Sequence, residues 1–206
     1  ILSVENLVSA PLATRLLRDL GAEVIKVENP DGGDYYRHSR QFYDDPNVED
    51  LTYVFLQHNK GKQSIVLDLK SAEGKDIFRE LAEQADVIVE NLRAGAMDRL
   101  GLGYTEMVEL NEDIIYCSIS GFGRTGPYAD MGAVDPILQV MSGLVDQNQS
   151  FAGHPTLSGI FVADFVSSLF ATISILAALN RGESTHIDLS MMDALISLMH
   201  SEAGEY

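Results

Sequence analysis

The chain has 206 residues, 46% hydrophobic and 22% charged, with 14 Lys and Arg against 31 Asp and Glu, a formal net charge of −17. That composition is globular and excludes disordered, collagenous and low-complexity classes. A chain this acidic repels phosphate backbones and anionic lipid on average, so neither nucleic-acid nor membrane partners are expected.

In chain order, Ile1-Leu2-Ser3-Val4 reads as the inside of a strand. Ala13, Leu16, Leu17 and Leu20 then recur at helical spacing, stopped by Gly21. β-branched runs follow at Val24 to Glu28, Ser64 to Leu69, Asp86 to Glu90 and Ile114 to Ile119. Ile77, Phe78, Leu81 and Ala82 form a second helical face, with Ser71 as its N-cap. Asp31 to Gly61 is polar and turn-rich, with Gly32, Gly33, Pro46 and Asn47. It is too long for a plain connection, so it is functional or partly helical. Gly121 to Gly132 is a second turn-rich stretch. A long helix over about Ala163 to Leu179, a strand at His186 to Leu189 and a terminal helix complete the pattern.

Both ends read as cut. There is no initiator Met and no basic region of a signal peptide, and the chain stops at Glu205-Tyr206 just past a helical pattern. The apolar run Phe165 to Asn180 falls short of the roughly 18 residues of a spanning helix. A soluble, cytoplasmic protein is expected. Strand–helix alternation predicts an α/β fold, a parallel sheet with helices on both faces. Ligands of such sheets sit beyond the carboxyl ends of the strands. That points to Glu28 to Asp34, Lys70, Asn91 to Arg93 and Ser120 to Gly126.

Cys117, the one cysteine, excludes an internal disulfide and a cysteine zinc site, and its neighbours Ile115, Tyr116 and Ile119 suggest a buried structural thiol. The histidines show no ligand spacing, so no metal is expected. There is no G-x-S-x-G elbow and no P-loop. Gly121-Phe122-Gly123-Arg124-Thr125-Gly126 matches G-x-G-x-x-G, but Pro127 stands where the phosphate-binding helix should run. A tight glycine turn across the sheet edge is the better reading. Asp164 is the one charge between Gly159 and Asn180. It is either a helix cap and dipole partner or a desolvated nucleophile or base. Lys60, Lys62, Lys70, Arg93, Arg99 and Arg124 are solvated surface or, near strand ends, a local offset for a phosphate-bearing ligand.

Several stretches together resemble the class III CoA-transferases, a family that includes carnitine, bile-acid and formyl-CoA transferases and the α-methylacyl-CoA racemases. They are Ala10-Pro11-Leu12-Ala13-Thr14, Leu20-Gly21-Ala22-Glu23-Val24-Ile25-Lys26-Val27-Glu28 and Gly32-Gly33-Asp34. The likeness continues at Asn59-Lys60-Gly61-Lys62-Gln63-Ser64, Leu67-Asp68-Leu69-Lys70, Asp86-Val87-Ile88-Val89-Glu90-Asn91 and Arg99-Leu100-Gly101-Leu102-Gly103-Tyr104. Ser118 to Tyr128 and Ile187 to Ala194 close it, in order along nearly the whole chain.

The resemblance implies a Rossmann-like large domain and a smaller domain, with two ring-shaped subunits interlocked as a homodimer. Residues 1–206 would then be an incomplete large domain, with the C-terminal small domain absent. It implies transfer of CoA from an acyl-CoA to a free carboxylate, with coenzyme A as co-substrate and no resident cofactor. Asp164 takes the place of the nucleophile, which forms an aspartyl anhydride and then an aspartyl-CoA thioester. By position, Val8, Ser9, Leu67, Lys70, Asn91, Arg93 and Arg99 would hold CoA, and Arg124 and Asp135 would approach the acyl group. Asn29 stands where the family often has arginine. The turn Asn180 to His186 is shorter than usual, and Asp146 to Pro155 replaces a more glycine- and proline-rich stretch. In the racemase branch a histidine precedes the Asp135 position; here it is Val134, which carries no proton. That departure favours a transferase over a racemase. The third reading is a CoA-binding fragment without catalysis.

Overall fold

The structure, a computed structural model, describes residues 1–38 and 52–203. Pro46, Asn47, Glu205 and Tyr206, singled out above, lie outside them. Strand β1 (Leu2–Val4) leads into helix α1 (Ser9–Asp19), then β2 (Ile25–Glu28), a 3-10 turn at Tyr35–Arg37, α2 (Tyr53–Asn59) and β3 (Gln63–Val66). Next come α3 (Ala72–Ala82), β4 (Val87–Glu90), α4 (Ala96–Leu100), α5 (Tyr104–Leu110) and β5 (Ile115–Ser120). Three short helices, α6 (Asp135–Met141), α7 (Leu144–Gln147) and α8 (Gln149–Ala152), precede the long α9 (Val162–Arg181). Strand β6 (Thr185–Ser190), α10 (Met191–Leu198) and α11 (His200–Ala203) follow.

Among the described residues six strands form one sheet in the order β3-β2-β1-β4-β5-β6, and every pairing is parallel. This is the strand order of a Rossmann-like doubly wound sheet, which reverses direction between β1 and β4. Each strand is too short to bury much alone, so the alternation of its side chains builds two cores. Val87, Val89, Ile115, Cys117 and Ile119 meet α1, α6, α9 and α10 on one face. Leu2, Val4, Ile88 and Tyr116 meet Phe78, Ala82, Met97 and Met107 of α3, α4 and α5 on the other. Full burial of a side chain such as Phe78 contributes about 2–3 kcal/mol.

Helix α9 carries the β5–β6 crossover on the face that also holds α1. Small residues let the two helices close up: Ala10, Ala13, Ser168 and Ala171 are fully or nearly fully buried. The Ser168 hydroxyl donates to the Ser9 carbonyl at 2.7 Å, and Thr172 reaches the Ala13 carbonyl at 3.4 Å. The two helices therefore begin side by side at the carboxyl edge of the sheet.

The structure corrects four expectations. β3 stops at Val66, short of Leu69, because its partner β2 ends at the paired Glu28. Beyond it the Asp68 carboxylate accepts from the Lys70 amide at 2.9 Å and turns the chain. Leu20 is exposed because α1 ends one residue earlier, and Ile77 flanks the buried stripe of Gly74, Phe78 and Ala82. A Cβ on Gly74 would collide with the Asp68 carbonyl, so glycine lets α3 lie against that turn. Finally, α9 runs 20 residues at a mean hydropathy of 1.9, long and apolar enough by length and composition to cross a membrane. Here one side of it is buried against the sheet and α1, while Leu169, Ile173, Leu176 and Leu179 are exposed. Ser71 caps α3 as expected, its hydroxyl accepting from the Gly74 amide at 3.0 Å.

Beneath the carboxyl ends of β1 and β2 lies a buried set of charges. The Lys26 ammonium, 1% exposed, meets Asp34 at 2.5 Å and lies 4.0 Å from Glu5. Lys62 meets Glu5 at 2.6 Å, and Thr14 donates to the same carboxylate at 2.7 Å. Burial alone would raise the Glu5 carboxyl, but Lys62 and Lys26 outweigh it and hold the group below the usual range. Removing one member strands the others in a low-dielectric interior. Lys26→Met is expected to destabilise the fold by about 3–5 kcal/mol, read as a lower urea midpoint with an unchanged slope.

Candidate active site

The sheet's reversal leaves a crevice between β1 and β4, and a cleft of about 490 Å³ opens there. The loops after β1, β4 and β5 line it, together with the first residues of α1, α6 and α10 and the first turn of α9. Several helix N-termini thus face one space, each with amides that lack partners inside the helix.

Asp164 sits in the first turn of α9 and borders this cleft. The helix has no capping side chain of its own at Phe161. Asp135, 2% exposed, supplies one: its carboxylate accepts from the Ala163 amide at 2.6 Å and the Asp164 amide at 3.4 Å. Its other oxygen accepts from the Gln139 amide group. Burial, and then the neighbouring Asp135 charge, push the Asp164 carboxyl up to about 7, while a hydrogen bond from the Ser9 amide pulls the other way. Both readings left open for Asp164 meet in this geometry. It lies in the first turn, yet Asp135 does the capping, so its carboxyl is left to the cleft and to Ser9.

Ser9 reaches Asp164 because of the turn before it. Leu7 has φ 64°, the left-handed region that costs a branched side chain about 1–2 kcal/mol. Its amide donates to the side chains of Asn6 at 3.0 Å and Asp34 at 3.4 Å. Asn91 spans the crevice: its Oδ1 accepts from the Asn6 amide at 2.8 Å, and its Nδ2 donates to the Asn6 carbonyl at 2.7 Å and the Ser9 hydroxyl at 3.1 Å. Beneath it, burial raises the Glu90 carboxyl to about 7, against hydrogen bonds from Ser118 and the Leu92 amide.

Of the site residues expected from the sequence, Val8, Ser9, Asn91, Arg93, Asp135 and Asp164 meet at this cleft. The side-chain polar atoms of Asn91 and Asp135 bond to the protein itself. Leu67 and Lys70 line a second cavity of about 200 Å³, which shares Leu92 with the first. Arg99 and Arg124 line neither cavity. Arg99 is exposed and donates to the Ala94 carbonyl at 3.4 Å, while Arg124 pairs with Asp98 at 2.6 Å. Gly121 lies against Ala133, which a Cβ would approach to 2.6 Å. No helix starts directly after Gly126; the next, α6, begins at Asp135, which fits a glycine turn. The sequence reading missed Tyr36, Phe161 and Met191 in the cleft wall, and Ser120, whose buried hydroxyl has no partner among the described residues, was marked only by its place after a strand.

The whole chain, residues 1–206, matches the family model described as CoA-transferase family III. It is 38% identical to the succinate–glutarate CoA-transferase of Agrobacterium fabrum, over 100% of this chain and 53% of that protein. It is 39% identical to the acetyl-CoA:oxalate CoA-transferase of Acetobacter aceti, over 97% of this chain and 51% of that protein. Among solved structures it matches a CAIB/BAIF family protein from Brucella suis with a TM-score of 0.91 and 35% identity, covering 100% of this chain and 55% of that one. The chain spans about half the length of the curated relatives it matches.

The raised carboxyl of Asp164 has a stability consequence. The folded state holds this proton more tightly than the unfolded chain, so the stabilisation is complete below about pH 4 and is lost as pH rises through about 7. Asp164→Asn removes the buried charge. It is expected to be more stable than the parent at pH 8, on the order of 2 kcal/mol, with the difference shrinking toward pH 4. Denaturation curves of both proteins at the two pH values read this directly.

Proposed function

The chain belongs to CoA-transferase family III, and from that premise we propose that the protein moves CoA from an acyl-CoA thioester to a free carboxylate, with Asp164 as the nucleophile. The observation that carries the reading is the Asp164 carboxyl at the cleft, freed from capping by Asp135 and facing the Ser9 amide at the start of α1. A carboxylate oxygen of Asp164 attacks the thioester carbonyl, the carbon–sulfur bond breaks, and CoA leaves as the thiolate. The product is a mixed anhydride, which keeps the thioester's energy. The thiolate then attacks the Asp164 carbonyl and expels the first acid as its carboxylate. The acceptor carboxylate attacks the resulting aspartyl-CoA thioester, and the thiolate returns to the new acyl carbonyl, regenerating Asp164. Each attack builds an oxyanion, which donors such as the amides at the helix N-termini stabilise.

In this reading CoA is a co-substrate and no resident cofactor takes part. The thioester end occupies the larger cleft. The nucleotide end falls to the cavity of Leu67 and Lys70, which meets the first at Leu92, with Arg93 in the wall of the first. The reading includes a homodimer of the full-length protein, for which the exposed Leu169, Ile173, Leu176 and Leu179 of α9 offer an apolar face. Proton exchange beside the thioester, the racemase chemistry, needs a second base across the cleft. The position before Asp135 is Val134, and none of the described residues lining the cleft is a histidine. The names of the relatives suggest a panel: succinyl-CoA and acetyl-CoA as donors, with succinate, glutarate and oxalate as acceptors.

The test is trapping. Full-length protein is incubated with each donor and hydroxylamine, and its peptides are mapped by mass spectrometry. A hydroxamate on Asp164 is expected, absent from Asp164→Ala, whose turnover drops by about 10³-fold or more. Because the carboxylate is the attacking form, the rate of adduct formation rises with pH through about 7 to a plateau. Unmodified Asp164 in folded, CoA-binding protein overturns the reading.

A further inference from the structure

The 3-10 turn Tyr35–Arg37 is fixed at each of its residues. The Tyr35 amide donates to Asn6 Oδ1 at 2.9 Å, and the Tyr36 amide donates to Asp34 Oδ1 at 2.9 Å. The Tyr36 carbonyl accepts from the Thr52 hydroxyl at 2.5 Å. Arg37 holds Glu28 through two bonds, at 2.6 and 2.7 Å, and stacks over Phe55 with its guanidinium carbon 4.0 Å from the ring centre. The Asp34 carboxylate that starts the turn is itself locked by Lys26. The residue this anchored turn brings to the cleft is Tyr36, half-buried in the lining that also holds Asp164. Among the described residues its hydroxyl has no hydrogen-bond partner, although Tyr36 lies within the electrostatic reach of Asp164.

The acceptor in the proposed reaction arrives as an anion beside the buried Asp135, at the stage when Asp164 is held as the uncharged aspartyl-CoA thioester. A carboxylate taken out of water needs a hydrogen-bond donor, and because the acceptor carboxylate is the attacking group, that donor must hold it without protonating it. A phenol meets that need. Burial, then the charges of Asp164 and Asp34, raise its pKa, so it stays a neutral donor at physiological pH. Hydrogen bonds to charged groups are the stronger kind and reward a rigidly held donor.

We propose that Tyr36 is a specificity-determining residue, its hydroxyl donating a hydrogen bond to the carboxylate of the acceptor acid as that acid approaches Asp164. This rests on the transferase reading above. It adds that acceptor choice is set partly from the loop after β2, on the other side of the crevice from β4.

The experiment compares full-length parent and Tyr36→Phe, using the best donor and acceptor from the panel. The substitution removes one oxygen and leaves the ring, and thermal midpoints confirm that the variant folds. KM for the acceptor is expected to rise about tenfold or more. KM for the acyl-CoA, and the yield of Asp164 hydroxamate without acceptor, are expected to stay the same. An unchanged acceptor KM overturns the proposal while the transferase reading stands. A matching drop in hydroxamate yield also overturns it, since Tyr36 would then serve Asp164 itself. Parent protein that forms no hydroxamate overturns the transferase reading and this proposal together.

Discussion

The first turn of α9 begins without a capping side chain of its own, and a carboxylate 28 residues earlier in the chain takes over the task. That contact between Asp135 and the Ala163 amide sets where the long helix starts, and so where Asp164 points. Had Asp164 capped its own helix, its carboxylate would be spent on backbone amides. Asp135 also sits at the first position of α6, so one buried group ties two helix starts together. The same proximity sets the chemistry. A second carboxylate beside a partly desolvated one makes the second proton harder to lose. The position of Asp164 and, after burial, part of its proton affinity thus come from one neighbour.

The rest of the fold brings a donor to that carboxyl. Because α9 lies on the α1 face of the sheet, two helix N-termini stand side by side, and their small buried residues bring the backbones close. Asn91 joins the loops on either side of the sheet's reversal, its amide donating to the Val4 carbonyl at 3.3 Å and its side chain bonding Asn6 and Ser9. The buried ions around Lys26 hold the third side of the cleft through Asp34. The Asn91 side chain and the Lys62–Glu5 pair are satisfied by partners far off in sequence.

That distance explains what could be read from the sequence. The strands and the Ser71 cap were legible because period and capping are local. Asp164 stood out as a lone charge in an apolar run, though residue type alone could not separate a cap from a nucleophile; the motif resemblance favoured the nucleophile, and a cap supplied by Asp135 leaves the carboxyl free for that role. The end of β3 was misplaced because a strand's length depends on its partner, and β2 ends at Glu28. Asn91 was expected at the CoA site and lines the cleft; what the sequence could not show is that its side chain bonds Asn6 and Ser9, 85 and 82 residues away. Arg124 was expected near the acyl group, but Asp98 and Asp188 hold it elsewhere. Tyr36 gave no signal, since it sits in a polar stretch with no period and owes its placement to Asp34, Thr52 and Glu28.

Leu7 carries the torsional strain of the turn that delivers Ser9, and its side chain forms part of the cleft wall. A glycine there would relax the backbone but widen the range of conformations open to the loop. Relief of strain and loss of local order therefore pull in opposite directions at position 7. What a glycine gained in backbone comfort would be drawn from the alignment of the Ser9 amide with Asp164.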